Sequence, residues 1–275
     1  MRWRDIRTGL VVVTQPALEP VSRAEAKRHA EIDHADHDHL VDIWIRAARR
    51  QLEKDTARTP VNTVYDLTVD RFPEERFVPL PRMPLSSIVS VTSYDEADAA
   101  TVVSSSDYRA DAALHRLVLN DDATWPSDLR RHSAGAIRFT AGGSGTPFSI
   151  SAIVVSGTAP NITATVTAAA HGRSTGDRVT VADTGQDPLD GTFAVTVTDT
   201  NTFTYRVDRG APSNASANGM TGRLLHMPEE HRLAMLLMIG HFAKNREAVV
   251  DGQAVALPMG YEALIGGTDR IYAMA

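Results

Sequence analysis

The spacing of apolar positions changes along the chain, and each change marks a different kind of element. Pro20-Val21-Ser22-Arg23-Ala24-Glu25 opens a short helix to about Ala30, with Ser22 as N-cap and Glu25 three residues on as the other half of a capping box. Behind an acidic start signal at Asp33 to Asp38, the residues Leu40, Ile43, Trp44, Ala47, Ala48 and Leu52 recur at three-to-four spacing, which predicts one buried helix face. Arg46, Arg49, Arg50 and Lys54 mostly fall off that face, late in the helix, where cations suit its dipole. After Thr59-Pro60 the period drops to two: Val61, Thr63, Tyr65, Leu67 and Val69 alternate with Asn62, Val64, Asp66, Thr68 and Asp70, as in a half-buried strand. Further strands are predicted at Arg76 to Leu80, Ser87 to Tyr94, Asp107 to Ala110, Arg116 to Leu119 and Ala136 to Thr140, punctuated by Pro, Asp and Gly.

From about Gly142 to Gly222 the composition shifts towards Thr, Ala, Gly, Val and Asn. Strand-like runs fall at Ile150 to Ser156, Ile162 to Thr167, Arg178 to Val181, Thr192 to Thr198 and Thr202 to Val207. The helical period then returns: Pro228 lies near a start, Glu229 and Glu230 complement the dipole, and Leu233, Leu236, Leu237 and Gly240 or Phe242 continue an apolar face to about Asn245. The expected fold class is α+β. A helical base (residues 16–58 and 226–275) is formed by the two helical ends, which pack together; a middle antiparallel β-domain (60–142) and an inserted all-β module (144–223) interrupt it.

Composition narrows the function classes. The chain has 275 residues, 43% hydrophobic and 23% charged, so it can build a sizeable core, but with only 6% aromatic residues thin β-layers and several modest cores are expected. A formal charge of -6 argues against wrapping nucleic acid, which needs clustered Lys and Arg. With no cysteine, disulfides and thiolate metal sites are excluded. The apolar stretch Gly9 to Val13 is too short for a signal sequence, and nothing approaches the roughly 18 apolar residues of a membrane span. A soluble protein assembled in the cytoplasm is expected, with no membrane partner.

Four groups of residues invite a chemical reading. His29, His34, His37 and His39 lie among Asp33, Asp36 and Asp38, all good ligands for a divalent ion. His34 and His37 precede the helix start, however, so the fixed i, i+4 geometry of a helical zinc site is missing, and an acidic run that caps the helix is the preferred reading. No serine sits in a G-x-S-x-G elbow, so hydrolysis is not expected. Gly142-Gly143-Ser144-Gly145 lacks the Lys-Ser or Lys-Thr and the following helix of a phosphate loop and reads as a joint. Arg130, Arg131 and His132 form a small basic cluster that suits a solvated loop better than a DNA contact. No catalytic, metal or cofactor site is assigned, and the chain is expected not to be an enzyme.

Several stretches in order resemble the head-tail connector (adaptor) family of tailed phages and gene transfer agents. They are Glu19 to Lys27, the acidic Ile32 to Asp38 and Ile45-Arg46-Ala47-Ala48-Arg49. Leu80 to Ile88, Val91 to Asp95, Asp107-Tyr108-Arg109, Trp125-Pro126 and Ile137 to Gly142 follow, and finally Pro228 to Phe242, Asn245 to Val249 and Leu257 to Ile265. Together they span about two-thirds of the chain; the stretch from about Ser144 to Arg223 departs from the pattern. The resemblance implies a structural virion protein at the neck. It would form a homo-oligomeric ring, a dodecamer, bound to the portal protein and to a downstream neck or tail-completion protein, with DNA passing through unbound. A negative lumen would avoid adhesion to phosphate. It also bears on the apolar stretch Leu257 to Ile265, which Pro258 and Gly260 break. That stretch either folds back on the helices or docks on a partner, and the resemblance favours docking, with Leu257, Met259, Tyr261, Leu264 and Ile265 as portal or subunit anchors. The alternative places function in the inserted module, as a host-surface or carbohydrate adhesin, although no aromatic platform is evident around Phe193, Phe203 and Tyr205.

Overall fold

A computed structural model describes residues 3, 6–16, 19–34, 36–143, 145, 147–158, 161–186, 188–207, 210, 212–216, 219–225, 227–245, 249–250, 253–254 and 259–266. The chain forms two compact units, residues 1–17 with 57–143 and residues 18–56 with 144–275. Its class is α+β, as the changing period predicts, with every named strand pair antiparallel.

The first unit holds β1 (Thr8–Thr14), β2 (Thr63–Val69), β3 (Phe77–Pro79), β4 (Leu85–Tyr94), β5 (Ala100–Val102), β6 (Tyr108–Asp111), β7 (Arg116–Leu119) and β8 (Gly135–Ala141). A five-stranded sheet runs β1-β2-β8-β4-β5, and a three-stranded sheet runs β3-β7-β6. Alternation along β2 is clean: Thr63, Tyr65, Leu67 and Val69 are buried and the residues between them are not. Opposite Tyr65 in the register stands Phe139, and the two rings stack with centroids 5.6 Å apart, in one core with Leu67, Val78, Val91, Leu117 and Ile137. Burying a side chain of this size contributes about 1.5–3 kcal/mol. Gly135 starts β8 because a Cβ there would lie 2.7 Å from Cζ of Phe72, whose ring stacks on Trp125. Neither β1 nor β5 was legible as a strand in the residue pattern.

The second unit begins with α1 (Arg23–His29) and α2 (Asp38–Thr56). It continues through β9 (Phe148–Ser149), β10 (Ala152–Ser156), β11 (Ile162–Thr167), β12 (Arg178–Ala182), β13 (Gly191–Ala194), β14 (Thr196–Asp199), β15 (Thr202–Val207) and β16 (Thr221–Leu224). It ends with α3 (Glu229–Lys244), the short hairpin β17 (Val249–Val250) and β18 (Gln253–Ala254), and α4 (Met259–Ile265). Two four-stranded sheets, β10-β11-β15-β14 and β13-β12-β16-β9, enclose a shared core of Ile153, Val166, Val179, Val181, Phe193 and Phe203. The single strand expected over Thr192 to Thr198 is two. At Val195, 2% exposed with its N–H bonded to Asp177 O at 2.9 Å, the chain leaves the first sheet and enters the second. A Thr/Val run satisfies either layer, so sequence does not mark the crossing.

The helices pack as a second core in this unit. Ser22 Oγ accepts from Glu25 N, as the capping box requires, but the Glu25 carboxylate turns instead to Arg232 on α3. The buried face of α2 is Val41, Ile45, Ala48 and Leu52, so the expected face is rotated by about one residue and Ile43 is 49% exposed. On α3 the expected Leu236 is buried, but Leu233 is 44% exposed and the rest of the buried face is Ala234, Met235, Met238 and Ile239. Both helices carry apolar residues on more than one face, and the packing partners choose between the stripes.

Candidate functional site

The surfaces available for assembly follow from which polar groups each unit has already satisfied. In the helical core Arg49, expected off the apolar face, is 2% exposed. Its Nε donates to Glu19 at 2.6 Å and its Nη1 to Glu53 at 2.9 Å. Burial opposes its charge, but the two carboxylates outweigh that and hold its pKa above the ordinary value. A second chain of charges runs Arg178, Glu229, Arg232, Glu25, so the sandwich strand β12 and helices α1 and α3 share one network. Burial raises the Glu25 pKa against the pull of Arg232, Arg28 and Arg178, and its Oε2 is buried without a hydrogen-bond partner among the described residues. Sequence reasoning missed both networks; Glu19 gives no local signal of a partner thirty positions away.

The sequence-predicted anchors divide. Leu257 lies outside the described residues, and Met259 is placed only as the first residue of α4. Tyr261 is 1% exposed in the helical core, and its hydroxyl donates to Asp55 Oδ2 at 2.8 Å. Burial, with Asp55 beside it, raises the Tyr261 pKa. Leu264 and Ile265 pack against the same core but keep part of their surface, next to the exposed Glu262 and Ala263. Folding back of α4 thus occupies Tyr261 and leaves Leu264 and Ile265 partly outward.

Around the start of α2, the Asp38 carboxylate is taken by Lys27 at 2.6 Å and Arg23 at 3.7 Å rather than by an amide of the helix, and Arg23 grips Asp42 with two bonds. Asp38 keeps the dipole role expected of it, while side-chain capping gives way to tying α1 to α2. The rings of His34 and His37 meet edge to face at 4.8 Å. Among the described residues no three His, Cys, Asp or Glu side chains converge as metal ligands. A cleft of about 170 Å³ between α1, α2 and the sandwich is lined by Arg23, Asp42, Arg46, Thr180 and Asp190. It falls below the roughly 300–1,000 Å³ of small-molecule sites.

Arg130 of the basic cluster is engaged within its own unit: it bonds Asp98 and the Ser133 carbonyl and lies over the Tyr94 ring at 4.2 Å. Gly142 and Gly143 give their amides to Pro84 O and Thr59 O, so they cradle no phosphate. At φ +154° a Cβ on Gly142 would stand 2.4 Å from the Asn62 backbone, which is why glycine is required at this join. In the sandwich, Phe193, Phe203 and Tyr205 all point inward, at 9%, 0% and 2% exposure, so they form no stacking platform for a sugar.

The five-stranded sheet of the first unit exposes apolar residues on both of its edge strands. Its edge strand β1 exposes Val11, Val12 and Val13 at 62%, 38% and 44%, and all three residues of the opposite edge, β5, are exposed, Val102 at 67%.

No protein-family model matches the chain, and no curated protein matches it in sequence. Solved structures do share its fold. A chain in the neck of an empty gene transfer agent particle, computed with C6 symmetry, aligns at a TM-score of 0.53 and 16% identity, covering 94% of this chain and 93% of that one. A chain in the virion of a native gene transfer agent particle aligns at 0.52 and 16% identity, with the same coverage.

Proposed function

We propose that this chain is a non-catalytic structural subunit of the neck of a phage-like particle, the connector that joins portal to tail as a ring. The observation that carries the reading is the shared fold with a gene transfer agent neck chain over nearly the full length of both proteins. The order of motifs in the two helical ends and the first β-domain supports the same assignment. In this reading twelve copies close a ring because rotational symmetry satisfies the same patch on every subunit. The portal binds on one side and a tail-completion protein on the other, and DNA passes without specific contact, past a subunit of net charge -6. The outward parts of Leu264 and Ile265, with Leu257 and Met259, form the portal-docking segment, and Tyr261 holds α4 in place for it.

Negative-stain imaging of the purified protein, alone and mixed with its portal, tests this. Annular particles and capped portals are expected; a persistent monomer with no portal affinity overturns the reading. Within that experiment Leu264→Asp with Ile265→Asp, which leaves the Tyr261–Asp55 bond in place, is expected to weaken portal capping at least tenfold while the subunit stays folded by circular dichroism.

A further inference from the structure

We infer that the subunits are joined edge to edge through the first sheet: β5 of one copy pairs in parallel with β1 of the next, with Leu10 opposite Thr101. The inference rests on the ring reading above and names the joint. Four antiparallel pairings separate β1 from β5, so the two edge strands run in the same direction, and a rotated copy brings one beside the other in parallel. The strand directions therefore allow a second copy to continue the sheet.

Hydrogen bonding supports a particular register. Asp70 N donates to Arg7 O, and bonding alternates along an antiparallel strand, so the peptide groups of Thr8, Leu10 and Val12 point away from β2. In the same way Asp95 N bonds Ala99 O and Val103 N bonds Val91 O, which turns the peptide groups of Ala100 and Val102 away from β4. In a parallel ladder one residue bonds two residues on its neighbour that flank the position opposite. Leu10 N–H would meet Ala100 C=O, and Leu10 C=O would accept from Val102 N–H. This register also sets Val11 beside Val102 on the same face of the sheet, so the two most exposed valines of the two edges cover each other.

Neither edge deters such pairing with a charge or a proline. From Thr8 to Thr14 there is no charge and no proline, and Ala99 to Val103 is uncharged. The register shift between Val12 and Thr14 limits the usable run to Thr8 through Val12, close in length to β5. So short a ladder buries little area and holds a lone pair of subunits weakly; closure of many copies makes it persist.

The absence of native cysteine makes the test direct. Val11→Cys and Val102→Cys combined in one chain, oxidised under native conditions, should give a ladder of covalent multimers on a non-reducing gel, up to the ring's copy number. Adjacent strands bring such a pair within disulfide reach. Each single variant should remain monomeric on that gel. A dimer from Val11→Cys alone would show β1 pairing with itself about a two-fold axis and would overturn the head-to-tail joint. Rings seen by mass photometry without a ladder would overturn the joint while leaving the ring reading intact, whereas no oligomer and no ladder would remove both. Val11→Lys gives an independent check: it should shift rings to monomers at least tenfold without moving the unfolding transition, because the side chain is exposed, and unchanged rings would count against the joint.

Discussion

The five-stranded sheet of the first unit and the β-sandwich of the second are built from similar Thr- and Val-rich strands, yet they treat their edges in opposite ways. In the sandwich, the outer edge of β10 is bridged by Ala215, which exchanges bonds with Ile153 at 2.7 and 2.9 Å, and Asn214 Oδ1 accepts from Val155 N at 2.8 Å. On β14 Thr175 Oγ1 takes the Val197 amide at 2.9 Å. At the other sheet's margin, Thr192 of β13 meets Pro20 O just before α1. In the first sheet, among the described residues, no strand pairs with the outer edge of β1 or of β5. The difference teaches that strand composition does not decide whether a sheet ends or continues; what decides is whether some nearby loop or helix occupies the outward peptide groups.

The strongest way to break this comparison is to damage each core separately. Phe139→Ala and Phe203→Ala each remove a fully buried ring and should cost about 3–5 kcal/mol. Hydrogen exchange should show the loss confined to the first unit for Phe139→Ala and to the second for Phe203→Ala. Loss of protection throughout the chain from either one would mean that the two cores do not melt apart.

A smaller effect sharpens the contrast at the edges. Asn214→Ala withdraws the acceptor from Val155 and should cost about 1 kcal/mol in chemical denaturation. It should also give the sandwich an open edge, seen as new concentration-dependent association by light scattering. Unchanged stability would mean that Asn214 is dispensable as an edge clamp.

The smallest effect is one of pH and belongs to the first unit. His115 Nδ1 accepts from Leu85 N at 3.3 Å, and burial, together with Arg58 and against the pull of Asp111, lowers its pKa below the ordinary 6.5. The unfolded chain then binds the proton more readily than the folded one. This contribution to stability is complete above the ordinary value and is lost as pH falls towards the folded pKa. His115→Asn suits the backbone there, at φ 49°, keeps an acceptor, and should flatten the acid limb of the first unit's unfolding profile. An acid limb identical to the parent's would assign the pH dependence elsewhere.

Much of this architecture could be read from local pattern. The alternation of Thr63 to Val69, the strands Ile162 to Thr167 and Thr202 to Val207, the Ser22 cap and the two long helices all depend on neighbours close in sequence, and all are present as expected. Which of two apolar stripes a helix buries was not legible, since Ile43 and Ile45 are both isoleucines and only the packing of the other helices against α2 separates them. Nor was the burial of Arg49: Glu53 lies at i+4 on the same helix, but the second carboxylate that neutralises it, Glu19, is connected to it by no periodicity.

The sequence by itself determined the α+β class and the types of the long helices and most strands, since hydrophobic period and capping act over a few residues. Tertiary structure alone decided that Val195 divides one run between two sheets and that α4 buries Tyr261. It also decided that Leu10 to Val13, an unremarkable apolar stretch in the sequence, lies at an open sheet edge. Each of those outcomes depends on groups far apart in the chain filling, or failing to fill, the same space and the same hydrogen bonds.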